Sequence, residues 1–166
     1  LRYWVPRLEK EGLLEYAYVY GYDEVPPAVF PVIERVYGAI KAEFPGLPLM
    51  TTAYDPSFGT KTCLGGVVDI FVPLTPRFDP DTVALARSQG RDVWWYICIG
   101  PKHPYANWLI EYPAIEARLL MGMMTAAYRP GGFLYYALTR WPVNREPIDS
   151  GPYTHWNPMS YKDNNG

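Results

Sequence analysis

Residues 14–27 read LEYAYVYGYDEVPP, an aromatic and β-branched run that ends on two adjacent acids and two prolines. Aromatic and β-branched side chains are typical of strands, whereas proline cannot donate a hydrogen bond to a sheet ladder. The run therefore predicts a buried strand over residues 16–21 that stops just before Asp23 and Glu24. Neighbouring carboxylates repel each other, so this pair at a strand end suggests a chemical role.

Four further apolar runs follow along the chain, and helical patterns separate most of them. Residues 26–44 show the three-and-four apolar spacing of an amphipathic helix, with prolines in its first turns. Two more helices are predicted over residues 78–88 and 112–128. The remaining strands are predicted at residues 49–53, 68–72, 93–99 and 133–137.

The predicted strands are nearly continuous in apolar character, as expected for parallel strands covered on both faces. The class is therefore α/β. A Gly-rich phosphate-binding turn is absent after the first strand, which favours a (β/α) barrel over a doubly wound sheet. A complete barrel has about 250 residues, but the chain has 166. We therefore expect residues 1–166 to form a single domain, the C-terminal part of a (β/α)₈ TIM-type barrel with about five strands, whose partner is the missing N-terminal half.

Composition excludes several classes of function. The formal net charge is -2, with 49% hydrophobic and 19% charged residues, which is typical of a soluble globular protein and unlike a nucleic-acid-binding one. No apolar run reaches the roughly 20 residues of a membrane span. Cys63 and Cys98 form neither a disulfide framework nor a zinc motif, so we expect no cofactor and no metal. The compartment is not determined by the sequence.

The unusual feature of the composition is its aromatic content, with 15 Tyr, 6 Trp and 6 Phe. Tyr and Trp combine a flat apolar face with a polar edge, which suits stacking on a sugar ring as well as core packing. Tyr54 and Asp55 end the second predicted strand, although Asp-Pro is also an ordinary turn opener. The other candidates for sugar contacts, each equally consistent with packing, are Trp95, Tyr96, Asn107, Trp108, Tyr136 and Trp141.

The acidic pair has the composition of a glycosidase site. Cleavage of a glycosidic bond needs two carboxyl groups in different roles at close range, and repulsion between neighbours favours a state in which one of them is protonated. Three alternatives remain open at this point. The acids could interact with the dipole of the following helix, they could act as nucleophile and acid in another glycosidase, or the aromatic residues could belong to a non-catalytic carbohydrate-binding module.

Several motifs in order resemble one known family. They are YGYDEVPP at residues 20–27, VDIFVPLTP at 68–76, DVWWYICIGPKHPYANWLIEYPAIEARLL at 92–120 and GGFLYYALTRW at 131–141. Together they resemble the catalytic domain of glycoside hydrolase family 123, the β-N-acetylgalactosaminidases and their relatives, over about residues 16–141. The family's N-terminal strands lack a counterpart in this sequence.

The resemblance implies a fold and a mechanism. The fold is a (β/α)₈ barrel, and the substrate is a glycan that carries a terminal β-linked N-acetylgalactosamine. The mechanism is retaining and substrate-assisted: the 2-acetamido oxygen of the sugar attacks its own anomeric carbon to form an oxazolinium ion. Carried onto this sequence, Asp23 would orient the acetamido nitrogen, and Glu24 would protonate the leaving oxygen and later activate water.

Overall fold

The computed structural model of the protein describes residues 1–109 and 112–135, and every strand pair in these ranges is parallel. The strands are short. They are β1 (Val19–Tyr20), β2 (Leu49–Thr51), β3 (Ile70–Phe71), β4 (Asp92–Val93), β5 (Trp95–Ile97) and β6 (Phe133–Tyr135). The predicted mixed α/β class with parallel strands is confirmed; residues 136 and 137 of the last predicted strand lie outside the described residues.

The strands lie side by side in chain order. One sheet has the order β1-β2-β3-β4, and β5 pairs with β6. β4 and β5 belong to one extended segment, because Trp94 N donates to Phe71 O (2.9 Å) and Tyr96 N donates to Pro73 O (3.0 Å). From the other side of this segment, Trp95 N donates to Gly132 O (3.1 Å). The predicted strand 93–99 thus lies between the third and the last strand.

Helices connect most of the strands. The short helix α1 (Val5–Lys10) precedes the first strand. α2 (Phe30–Glu43) joins β1 to β2, and α3 (Pro80–Ser88) joins β3 to β4. The predicted helix 112–128 is α4 (Ala114–Arg118), a π-helical stretch (Leu119–Met124) and α5 (Thr125–Tyr128) in direct succession. Between β2 and β3 the chain instead forms a loop with one 3₁₀ turn, Cys63–Gly66.

The first strand differs from the prediction for residues 16–21. Leu14–Tyr16 is a 3₁₀ turn, and only Val19–Tyr20 pairs with the sheet. The tyrosines here are exposed, with Tyr16 at 75% and both Tyr18 and Tyr20 at 43%. The expectation of a buried strand was wrong because β1 is the edge of the described sheet, where one side of the strand has no neighbour among the described residues.

Alternate side chains of the strands pack against the helices. Leu49, Phe71, Val93 and Ile97 enter one large apolar cluster with the buried faces of the helices. From α2 the cluster takes Phe30, Ile33 and Tyr37, and from α3 it takes Val83 and Ala86. This helix-facing core fixes the phase of every strand, because a shift by one residue would exchange the two faces.

The opposite face of the sheet carries a second, smaller core. Met50, Ile70, Val72 and Tyr96 are buried there. On the same face, the rings of Tyr18 and Trp94 meet with centroids 5.6 Å apart. Because β2 and β3 lie between their strands and neighbouring strands are about 4.8 Å apart, the sheet curves, and this face is its concave side.

Tyr37 ties α2 to the ends of the first two strands. Its ring is 2% exposed, and its hydroxyl donates to Met50 O at 2.7 Å and lies 3.2 Å from Gly21 O. Burial raises the pKa of Tyr37 well above its usual range, so the hydroxyl stays a donor. The helix is therefore anchored to the same edge of the sheet at which the acidic pair lies.

We predict that Tyr37→Phe lowers the free energy of unfolding by about 1–2 kcal/mol, because the buried Met50 carbonyl loses the hydroxyl donor. Urea denaturation measures the loss. Tyr16→Phe is the control, since Tyr16 is 75% exposed, and it should change stability by less than about 0.5 kcal/mol. Equal effects of the two substitutions would contradict the anchoring role of Tyr37.

Candidate active site

The acidic pair lies on a tight turn between β1 and α2. Tyr22 (φ 57°) and Glu24 (φ 50°) both adopt the left-handed conformation, which costs a non-glycine residue about 1–2 kcal/mol. Hydrogen bonds from the end of β2 hold the turn in this shape. Thr51 Oγ1 donates to Tyr22 O at 2.9 Å, and Thr52 Oγ1 accepts from Glu24 N at 2.9 Å. Such strain, held by its surroundings, is typical of functional sites.

Asp23 is held through one of its two carboxylate oxygens. Oδ1 accepts a hydrogen bond from the Tyr20 hydroxyl at 2.6 Å and another from Thr52 Oγ1 at 2.7 Å. Two hydroxyl donors on one oxygen require that this oxygen act as an acceptor. No described residue bonds to Oδ2, so the fixed carboxylate keeps one acceptor oxygen for a ligand.

The surroundings of Tyr20 keep its hydroxyl protonated, so that it acts as a hydrogen-bond donor. The partial burial of its hydroxyl, followed by the hydrogen bond to Asp23, raises the pKa of Tyr20 to about 12. The phenol therefore stays protonated over the whole physiological range, and its proton remains available to Oδ1 of Asp23.

Glu24 is held by two phenols from other strands. Tyr54, just beyond β2, donates to Oε2 at 3.1 Å, and Tyr96 of β5 donates to Oε1. Burial, together with the neighbouring Glu24, raises the pKa of both Tyr54 and Tyr96. A hydroxyl can donate to an ionised carboxylate or accept from a protonated one, so this pair of phenols can bond to Glu24 in either state.

A cleft opens beside this carboxylate, at the carboxyl ends of β2 and β3. Its lining includes Thr52, Tyr54, Pro73, Leu74, Arg77 and Tyr96. Tyr54 is 37% exposed, and the Arg77 guanidinium lies over its ring, 5.2 Å from the centroid. The wall of the cleft thus contains an aromatic ring and a cation, and the Tyr54 and Tyr96 hydroxyls connect this wall to the Glu24 carboxylate.

Residues 4–161 match a family described as the catalytic domain of glycoside hydrolase 123. The chain belongs to this family. It is a glycoside hydrolase, with a carbohydrate substrate. No curated protein matches the chain.

Two of the predicted residues of this glycoside hydrolase organise loops. The Asp55 side chain is 4% exposed, and its oxygens accept from Ser57 N and Gly59 N at 2.9 Å and from Thr62 Oγ1 at 2.5 Å. Asn107 is fully buried. Its amide donates to Cys98 O and Pro101 O, both at 3.1 Å, and its oxygen accepts from Trp108 N at 2.7 Å. These polar groups are occupied by the protein itself.

The predicted tryptophans pack on the helix side of the strands. Trp95 is 1% exposed, against Phe78 and Tyr128. Because side chains alternate along a strand, Tyr96 faces the concave side and Trp95 does not. Trp108 packs on Phe133, with centroids 4.8 Å apart. Tyr136 and Trp141 lie outside the described residues.

Three side chains of the site were missed at the sequence level: Tyr20, Thr52 and Arg77. Tyr20 lies three residues before Asp23, and Thr52 ends the run LMTT. A signal did exist for both, because a polar group at the carboxyl end of a parallel strand lies at the edge where the acids lie. Arg77 lies in a 3₁₀ turn, Thr75–Arg77, beyond the third strand. No sequence pattern comparable to that of Tyr20 and Thr52 indicated that it belongs to the site.

Among the described residues, no group of three or more His, Cys, Asp or Glu is arranged to hold a metal ion. Within the same ranges, no helix combines the length and the apolar character that crossing a membrane requires.

We predict that Tyr20 titrates near pH 12, whereas an ordinary tyrosine titrates near pH 10. Its raised pKa stabilises the fold fully below about pH 10, and this contribution is lost as the pH rises through about 12. The phenolate absorbance of wild type minus that of Tyr20→Phe isolates this group. Asp23→Asn should lower the pKa only part of the way, because burial remains the larger cause. A step near pH 10 in this difference curve would refute the arrangement.

Proposed function

We propose that this glycoside hydrolase releases terminal β-linked N-acetylgalactosamine by a retaining, substrate-assisted mechanism. The observation that carries the proposal is the contrast between two adjacent acids. Each acid is bonded by two hydroxyl groups, but at Asp23 both reach Oδ1 and leave Oδ2 open, whereas at Glu24 the two phenols are divided between Oε1 and Oε2. A substrate-assisted reaction needs one carboxylate that stays ionised and one carboxyl group that gives up and regains a proton.

The first step breaks the glycosidic bond. The acetamido oxygen of the sugar attacks the anomeric carbon while the leaving oxygen takes the proton of Glu24, and an oxazolinium ring forms. Positive charge develops on the acetamido nitrogen, whose N–H points to Oδ2 of Asp23. A preorganised carboxylate at that place stabilises the charge without reorganisation, because Tyr20 and Thr52 already hold it.

The second step restores the sugar. Water attacks the anomeric carbon from the side that the leaving group vacated and passes its proton to Glu24, and the ring opens to the acetamide. Two inversions at the same carbon give net retention. The Tyr54 and Tyr96 hydroxyls reorient as Glu24 changes between acid and carboxylate.

The same proposal includes the fold. Five parallel strand segments in chain order, a concave apolar face and helices on the convex side are what a part of a (β/α)₈ barrel would have. The position of Asp23 and Glu24 after a strand agrees with the barrel rule that places active sites at the carboxyl ends of strands.

The identity of the nucleophile is the first test. If the acetamido oxygen attacks, an aryl β-N-acetylgalactosaminide should release its chromophore, whereas the matching aryl β-galactoside should be inert. A thiazoline analogue of the oxazolinium should inhibit far more strongly than the free sugar. Asp23→Asn should lose at least about 100-fold in kcat together with most of the thiazoline affinity.

Asp81→Asn is the control, since Asp81 is an exposed acid in the first turn of α3, and it should behave as wild type. A glycosyl ester on Asp23 or Glu24, trapped with a fluorinated sugar and seen by mass spectrometry, would replace this mechanism with a two-carboxylate one.

The role of Glu24 is tested through the leaving group. Glu24→Gln should reduce turnover of substrates with poor leaving groups by about 10²–10⁴-fold, but should affect activated aryl glycosides much less because their leaving oxygen needs little protonation. Steady-state rates on both substrate types measure this difference. Glu9→Gln, on the exposed α1, is the control. An equal loss on both substrates would argue against Glu24 as the acid.

A further inference from the structure

Arg77 is connected to the proposed acid, Glu24, through the side chain of Tyr54. Its guanidinium covers the ring of Tyr54, 5.2 Å from the centroid, and the hydroxyl of that ring is 3.1 Å from Glu24 Oε2. Because β3 is parallel to its neighbours, the 3₁₀ turn that carries Arg77 lies at the same edge of the sheet as the acidic pair. A ligand in the cleft beside Glu24 therefore lies within reach of this cation.

The charge of Arg77 is not paired within the described part of the chain. Arg2, Lys41 and Arg87 have acidic partners there, whereas Arg77 and several other basic side chains, Arg7 among them, have none within the described residues. Arg77 is exposed and, among the described residues, has no carboxylate within ion-pair distance. Its guanidinium keeps its donors for another acceptor.

The surroundings explain what such a cation would do. Asp23 and Glu24 give the site a negative field, which repels an anionic ligand unless a nearby cation compensates. A guanidinium matches the two oxygens of a carboxylate or a sulfate ester in its planar fork, and its stacking on an aromatic ring leaves the edge with the N–H groups open. We infer that Arg77 binds an anionic substituent, a sulfate or carboxylate, on the glycan that occupies the cleft. The inference rests on the proposed function for the identity of the sugar.

The anion can come from two sources. It is either a sulfate ester on the N-acetylgalactosamine itself or the carboxylate of a uronic acid to which that sugar is linked. The first pair of probes is N-acetylgalactosamine with and without a 4- or 6-sulfate. The second pair is N-acetylgalactosamine β-linked to glucuronic acid or to galactose, measured with Glu24→Gln so that the disaccharides stay intact.

Titration calorimetry of the purified protein measures the affinity for the charged and the neutral sugar of each pair. We expect the charged member of one pair to bind about two- to fivefold more tightly than its neutral partner, as is typical of a partly exposed ion pair. The preference should shrink as salt is raised. Arg77→Gln should abolish it while leaving the neutral sugar's affinity within about twofold, and Arg77→Lys should keep part of it because the charge remains and the planar fork is lost.

Arg7→Gln is the matched control, since the Arg7 guanidinium also stacks on a tyrosine, 3.6 Å from the ring centroid of Tyr3, but on α1 outside the cleft. It should leave the preference unchanged. Thermal unfolding of each variant confirms that it is folded.

Equal affinities within both pairs, or no binding of any of the probes, would overturn the inference. So would an Arg77→Gln variant that weakens the neutral and charged sugars equally, because Arg77 would then only hold Tyr54 in place. Failure of the proposed function is a separate result. If the protein prefers the charged sugars but hydrolyses none of them, the role of Arg77 is supported and the proposed mechanism is contradicted. If it hydrolyses the sugars without a preference for charge, the mechanism is supported and the role of Arg77 is contradicted.

Discussion

The hydroxyl of Thr52 is the contact on which the site depends. It donates to Asp23 Oδ1 and accepts from the backbone N–H of Glu24, so one side chain orients the first acid and holds the left-handed backbone of the second. Thr52 can do this only because it is 3% exposed at the end of β2, where water does not compete for its bonds. The position of β2 thus sets the geometry of a turn that belongs to β1.

The curvature of the sheet provides the second condition. Glu24 follows β1 and Tyr96 is part of β5, yet their side chains are hydrogen-bonded across the concave face. In a flat sheet, the two intervening strands β2 and β3 would keep them apart. The small core of Met50, Ile70 and Val72 beneath them therefore matters for the candidate site, since it holds the strands at the curvature that lets the Glu24 carboxylate receive its two phenol donors.

Much of the fold but only part of the candidate site could be predicted from the sequence. The fold was easier to predict than the site for a physical reason. Apolar runs and helical spacing are local, so the parallel strands and α2 were predicted close to their observed places. The phase of a strand is less local: whether Trp95 or Tyr96 faces the concave side depends on which residues the helices cover. The partners of Asp23 were missed because the bonds from Tyr20 and Thr52 depend on the register of β1 and β2. Asp55, just beyond β2, and Asn107, in the loop after β5, show the converse, because their own loops use the bonding capacity of their side chains.

The connection between β2 and β3 differs from the other crossovers, because a loop around the buried Asp55 carboxylate stands where a helix would. The Arg91 guanidinium holds this loop in place by donating hydrogen bonds to Phe58 O (3.0 Å) and Gly65 O (3.1 Å). Pro56 and Phe58, which belong to the loop, also form a wall of the cleft. Loops tolerate insertions and exchanges better than the elements that they join. Natural variation in the length of this loop could therefore reshape the cleft and diversify the glycans that related enzymes accept, without moving the strands that carry the acids.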